Sequence, residues 1–317
     1  MDAIVVEHLC KRYRKRGRGR ESTEVLRSLS FGIAPGRHAA LLGVNGVGKS
    51  TTVKLLAGCL RPDSGRAYVA GQDVSRSNTA RRMSGYVPDG TAHLHGRWTV
   101  RENAAYYGGL KGMTRGDFST RFARFSEELE ITGLSDQRVH GLSKGQRQRV
   151  SFMIALLHCP KVLLLDEPTT ALDAESTAII GAMLKRYCQH GGSVLLTSHD
   201  LEFVEKHADE ILLLDRGQLI EQAPVDQFLD RHAVDRYEMT LRDNAVEPVR
   251  LDLALQLGGV NAISERGITT LLCTADRFHD VIDVLKPARP SSVRNIGREL
   301  STIIPLIAGG MRNALPA

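Results

Sequence analysis

The sequence predicts an α/β fold with a mixed sheet, a helical subdomain and a small C-terminal α+β domain. Two apolar runs, Ala39-Ala40-Leu41-Leu42 and Val162-Leu163-Leu164-Leu165, read as buried strands of a parallel sheet. Helical stretches follow them, and strands that alternate with helices carry those helices on the faces of the sheet. Between the first run and its helix lies Gly43-Val44-Asn45-Gly46-Val47-Gly48-Lys49-Ser50-Thr51, which fits the phosphate-binding loop Gly-x-x-x-x-Gly-Lys-[Ser/Thr]. Strand, glycine-rich loop, then helix is the context that the motif needs.

In chain order, residues 4–9 read as a first strand and residues 25–33 as a second, ended by the turn Ala34-Pro35-Gly36. The phosphate-binding loop and its helix follow, then a turn at residues 61–65 and a strand at 66–70. Residues 83–89 form a short strand that runs into a loop, and residues 101–130 turn helical and polar. A second helix opens at Leu142-Ser143-Lys144-Gly145-Gln146, and a third spans residues 178–187 before the strand Ser193-Val194-Leu195-Leu196-Thr197. A hairpin around Asp215-Arg216-Gly217 closes the pattern; it and the early strands read as antiparallel. Composition shifts in the charged stretch 226–232. Beyond it, strands at 237–241 and 269–273 and helices at 252–257 and 277–285 make an α+β domain. The expected division is residues 1–228, with the helical subdomain near 90–160, and residues 229–317.

The 317 residues carry a net charge of +6, much of it in residues 11–20. Such a run is a solvated loop or a surface for phospholipid headgroups or nucleic acid. Cys10, Cys59, Cys159, Cys188 and Cys273 show no Cys-x-x-Cys spacing, which argues against a disulfide framework or a zinc site and fits a reducing cytosol. Residues 1–4 do not open a secretory signal. No apolar stretch approaches the ~20 residues of a membrane span. The expected location is cytoplasmic, and any work at a membrane needs a span from another chain.

The loop brings backbone N–H groups and a helix N-terminus to one point, a nest for phosphate. Lys49 reaches the β- and γ-phosphates of a nucleoside triphosphate, and the Ser50 hydroxyl holds Mg²⁺. Asp166-Glu167 ends the second buried run, where open sheets bind ligands. Asp166 faces the Mg²⁺, and Glu167 orients or deprotonates the attacking water. His199, at the end of the next strand, donates to a γ-phosphate oxygen and to that water.

With the loop, Asp166-Glu167, Asp173 and His199 in this order, Leu142-Ser143-Lys144-Gly145-Gln146 resembles the signature segment of ATP-binding cassette ATPases. The resemblance covers residues 1–225 and implies a P-loop NTPase cassette with ATP and Mg²⁺ as cofactors. Lys144 stands where the family pattern has its first glycine. In that family two cassettes pair head to tail, and the signature of one closes on the ATP held by the other. The resemblance therefore assigns Gly43, Asn45, Gly46, Gly48, Lys49, Ser50 and Thr51 to one half of an ATP site. Ser143, Gly145, Gln146 and Asp173 serve the other half, and Tyr13 stacks on adenine. Asp89 replaces the family's glutamine and is expected to ligate Mg²⁺ as a hard carboxylate, with a shorter reach.

The function implied is the ATPase subunit of an exporter, because residues 94–103 and 108–112 resemble exporter cassettes that carry an acid at this point. Its partners are a second copy or a related cassette and a separately encoded permease, with the chain peripheral on the inner face of the membrane. The other reading is a cassette ATPase acting on nucleic acid or ribosomes, which only the basic run favours. The helical insertion after Arg101 is too short for the coiled-coil arm of such proteins.

Overall fold

The computed structural model describes residues 2–14, 22–170, 172–234, 236–242, 248–257, 260–265, 268–285 and 290–313. It divides into two compact units, Met1–Val225 and Asp226–Ala317. From residue 15 to residue 20 the basic run lies outside the described residues.

The first unit runs β1 (Ile4–Arg14), β2 (Ser22–Ile33), β3 (His38–Leu42), α1 (Lys49–Leu56), β4 (Ser64–Val69), β5 (Gln72–Asp73), α2 (Asn78–Met83) and β6 (Ser84–Val87). It continues through α3 (Val100–Leu110), α4 (Arg115–Glu128), α5 (Lys144–Leu156), β7 (Val162–Asp166), α6 (Ala174–Gln189), β8 (Ser193–Thr197), α7 (Leu201–His207), β9 (Glu210–Asp215) and β10 (Gln218–Pro224). Two sheets result, one antiparallel of order β2-β1-β4-β5 and one of order β10-β9-β3-β8-β7-β6. In the second sheet only the β9–β10 pair is antiparallel. Every residue of β3, β7 and β8 is buried, as their unbroken apolar runs require. Leu41, Leu164, Leu195 and Leu212 join Ile4 and Leu29 in one core, each such side chain contributing about 1.5–3 kcal/mol by leaving water.

Register fixes where the strands end. Thr197 pairs with Leu41 on one side and Asp166 on the other, and Val87 pairs with Leu165. Four parallel strands thus release their chains at one edge of the sheet.

The helical stretch expected over residues 101–130 is two helices. Gly112, at φ +80°, ends α3 in a left-handed turn: Met113 N–H donates to Gly108 O at 3.1 Å and Gly112 N–H to Gly109 O at 2.9 Å. Thr114 then caps α4 by accepting from Asp117 N–H. Short helices missing from the sequence reading are capped the same way, α2 by Ser77 and α7 by Asp200.

The second unit holds α8 (Val225–His232, its first residue in the first unit), β11 (Arg236–Arg242), α9 (Pro248–Gln256), β12 (Val260–Glu265), β13 (Ile268–Thr274), α10 (Ala275–Val284), β14 (Ser292–Asn295) and α11 (Leu300–Asn313). From β11 to β14 the chain is βαββαβ with sheet order β12-β13-β11-β14, the split βαβ arrangement of ferredoxin-like folds. Met239, Leu241, Leu271 and Cys273 meet Val281 and Leu285 in its core. The sequence reading found β11, β13, α9 and α10; the edge strands β12 and β14 were missed.

His38 opens β3 with its Nε2 buried and unpartnered. Burial lowers its pKa from 6.5 to about 4, with Asp209 opposing the shift; burial likewise takes His158 to about 4. As the pH falls below 6.5 the unfolded chain takes up these protons first, so stability present above that value is lost toward pH 4. Urea unfolding is expected to show a loss of about 2 kcal/mol per histidine between pH 7 and pH 5. His38→Leu should remove its share, and an unchanged pH profile in that variant would count against this account.

Candidate functional site

At the common strand edge an open cleft of about 490 Å³ is lined by Asn45, Gly46, Gly48, Lys49, Ser50 and Thr51, with Asp89, Glu167, Thr170 and His199 across from them. Gly48 sits at φ +112° as the residue before α1, and a side chain there would run into Leu26 at 2.5 Å. Gly43, at φ +148°, packs against the carbonyl of Leu214. These two glycines let the loop turn tightly enough for the first N–H groups of α1 to open into the cleft.

Lys49 is buried and donates to Gly43 O at 2.8 Å and Val44 O at 3.2 Å. Burial pulls its pKa below the usual lysine value, and Glu167 and then Asp166 oppose that shift. The ammonium is held over the loop by its own carbonyls and faces two carboxylates.

Asp166 is fully buried, and Thr197 Oγ1 donates to its Oδ1 at 2.9 Å. Its Oδ2 is buried without a hydrogen-bond partner, and the nearest cation, Lys54 Nζ, is 3.9 Å away. Asp166 is not among the residues lining the cleft, although its neighbour Glu167 is; a buried carboxylate oxygen without a partner fits a hard cation or its water. Ser50 and Asp89 offer two oxygen donors in the cleft itself, so with Asp166 behind Glu167 the residues present fit Mg²⁺ with the remaining positions left to phosphate and water.

Glu167 has φ +51°, in the left-handed region that non-glycine residues seldom adopt. Its N–H donates to Thr197 O at 3.2 Å and Thr197 Oγ1 at 3.1 Å. The His199 N–H donates to Glu167 Oε2 at 3.1 Å, and His199 Nε2 lies 3.2 Å from Oε1. His199 was expected to face phosphate; in this structure its ring faces the glutamate. Thr197, which the sequence reading took only as a strand end, holds both acids, and the register that pairs it with Asp166 is what places it there.

Tyr13 is 40 % exposed and its hydroxyl is 3.5 Å from Thr51 Oγ1, beside the loop. Ser143, Gly145, Gln146 and Asp173 are not among the residues lining the cleft. Ser143 caps α5: its Oγ accepts from Gln146 N–H at 3.1 Å while Gln146 Oε1 accepts from Ser143 N–H at 2.9 Å. Asp173 caps α6 by accepting from Ser176 N–H at 2.7 Å, a bond that lowers its pKa. Gly145 is buried where α5 touches α6, and a side chain there would overlap Ser176 Oγ. Its need for glycine is thus explained by helix packing. Lys144, beside it, is exposed.

Residues 26–170 match the profile of the ABC transporter family. The ABC transporter ATP-binding protein NatA of Bacillus subtilis (strain 168) is 31% identical over 208 residues, 65% of this chain and 85% of that protein. The Nod factor export ATP-binding protein I of Bradyrhizobium diazoefficiens is 34% identical over 209 residues, 66% of this chain and 68% of its own. The sulfate/thiosulfate import ATP-binding protein CysA of Thermosynechococcus vestitus is 37% identical over 221 residues, 69% of this chain and 65% of its own. Among solved structures, cbiO1 from Clostridium perfringens, part of the ABC transporter complex cbiONQ, superposes with a TM-score of 0.62 at 26% identity, covering 72% of this chain and 91% of that one.

Proposed function

Since the chain belongs to the ABC transporter family as an ATP-binding, ATP-hydrolysing subunit, we propose that two copies, or one copy and a related cassette, pair head to tail to form two composite ATP sites. The observation that carries this reading is that Ser143 and Asp173 are exposed helix caps apart from the cleft of their own chain. The helix N-terminus at Ser143 suits the γ-phosphate bound to another copy, and Asp173 stands at the seam between the two.

In each site Lys49 and the N–H groups from Gly46 to Thr51 hold the triphosphate, and Tyr13 stacks on the adenine. Ser50, Asp89 and Asp166 hold Mg²⁺, which when bound screens the phosphate charge. Glu167 takes the proton of the attacking water, and His199, 3.2 Å from it, orients the carboxylate. Lys49→Ala is expected to weaken ATP binding about ten- to hundredfold, the worth of a lost charge-assisted contact. Titration with a fluorescent ATP analogue reads this directly, and unchanged affinity would remove Lys49 from the site.

Closure and reopening of the pair would drive a separately encoded permease, with the cassette docked at the inner membrane face. Among the described residues no helix is long and apolar enough to cross a membrane, which suits that division of labour. We take residues 1–228 as the cassette and 229–317 as an accessory domain. The direction we propose is export, supported by the Nod factor export relative and the segments at 94–103 and 108–112. Import proteins share the cassette, so the test is direct: purify the chain with its membrane subunit and follow ATP-driven movement across vesicles. ATPase activity that answers to RNA or DNA, and to no membrane partner, would overturn the reading.

A further inference from the structure

A second cavity of the first unit is at the opposite end of the parallel strands from the ATP cleft. It measures about 690 Å³ and is bounded by the starts of β1, β7 and β8 and the last turns of α4, α5 and α6. That volume is in the range of small-molecule sites. Its apolar wall is Phe125, Leu156, Met183 and Tyr187, with the Tyr187 ring fixed by its hydroxyl, which donates to Pro160 O at 2.9 Å.

The charges on its rim do not cancel. Arg124 is paired with Glu128 at 2.7 Å. Arg186 makes one long contact, Nη2 to Glu128 O at 3.5 Å, and Lys161 makes no ion pair among the described residues. Against Asp2, the other acid of the wall, the rim stays positive.

We propose that this cavity binds an amphipathic aromatic anion, its ring against Phe125 and Tyr187 and its carboxylate or sulfonate between Lys161 and Arg186. The two helices that end here also begin where the composite site needs them. α5 runs about 20 Å from the Ser143 cap to Leu156, and α6 about 24 Å from the Asp173 cap to the cavity. Their first turns are locked together at Gly145 and Ser176. An occupant pressing on Leu156 and Met183 therefore shifts the caps that close the partner's ATP site. This second half rests on the composite-site reading above; the binding itself does not.

Cys159, exposed in the cavity wall, reports occupancy. The full chain is treated with N-ethylmaleimide with and without 8-anilinonaphthalene-1-sulfonate, and Cys159 and Cys59, an exposed cysteine outside this cavity, are quantified by peptide mapping. The sulfonate should slow labelling of Cys159 at least about fivefold and leave Cys59 unchanged. Lys161→Glu or Arg186→Glu should raise the half-protecting concentration about tenfold, through loss of charge complementarity. Equal slowing at both cysteines, or unchanged protection in both variants, overturns the site. At protecting concentrations ATP turnover should change at least about twofold in the parent and not in Lys161→Glu. Full protection with unaltered turnover overturns the coupling. Protection in a protein that shows no turnover supports the cavity and counts against the composite-site reading.

Discussion

Glu167→Gln is expected to bind ATP as the parent does and to hydrolyse it at least about a hundredfold more slowly, the usual loss when a general base is removed. Glutamine preserves the volume of the side chain, and its carbonyl oxygen can still accept the His199 N–H that now reaches Oε2 at 3.1 Å. The backbone bonds from Glu167 N–H to Thr197 do not involve the side chain and remain. What disappears is the capacity to take a proton. The bound nucleotide then stays intact, and the pair that it closes has no route to reopening by hydrolysis. Gel filtration with ATP should show a dimer that parental protein forms only transiently. Parental turnover in this variant would mean that the water is activated elsewhere, with His199 the next group to test.

Most of the cleft was legible because its chemistry depends on local sequence. A strand–loop–helix with glycines at fixed intervals specifies Lys49 and Ser50, and an unbroken apolar run ending in two acids specifies Asp166 and Glu167. Asp89 entered by resemblance alone, and it does line the cleft. Thr197 was passed over because its role comes from strand register, which links residues 31 positions apart and has no local pattern. The packing at position 145 has no local pattern for a similar reason: the Ser176 that crowds Gly145 is on another helix. In the fold, the fully buried strands β3, β7 and β8 were visible from their unbroken apolar runs. The short capped helices α2 and α7 and the edge strands β12 and β14 were not, since elements this short, without an unbroken apolar run, show no clear period. The αβ alternation of the second unit was seen in part; its βαββαβ order needed the strand pairing.

Ser143→Arg tests stoichiometry rather than chemistry. Ser143 is exposed and caps α5, and it does not line the cleft of its own chain. Arginine at this position should leave ATP binding to each separate chain unchanged, while hydrolysis falls at least about a hundredfold because the facing site is obstructed. Helix stability will drop by about 1 kcal/mol with the lost cap, so thermal unfolding must be measured alongside to show that the chain is folded. The stronger experiment mixes this variant with Lys49→Ala. Each alone has two defective sites in a head-to-tail pair. In a mixed pair, one site joins the intact Lys49 of the first chain to the intact Ser143 of the second, and the other site collects both defects. Random pairing makes half the dimers mixed, so about a quarter of the parental sites are restored. Recovery of ATP hydrolysis on mixing two inactive proteins has no explanation in a site confined to one chain. If mixed dimers form and hydrolysis does not return, the cleft must be completed by something other than the Ser143 cap.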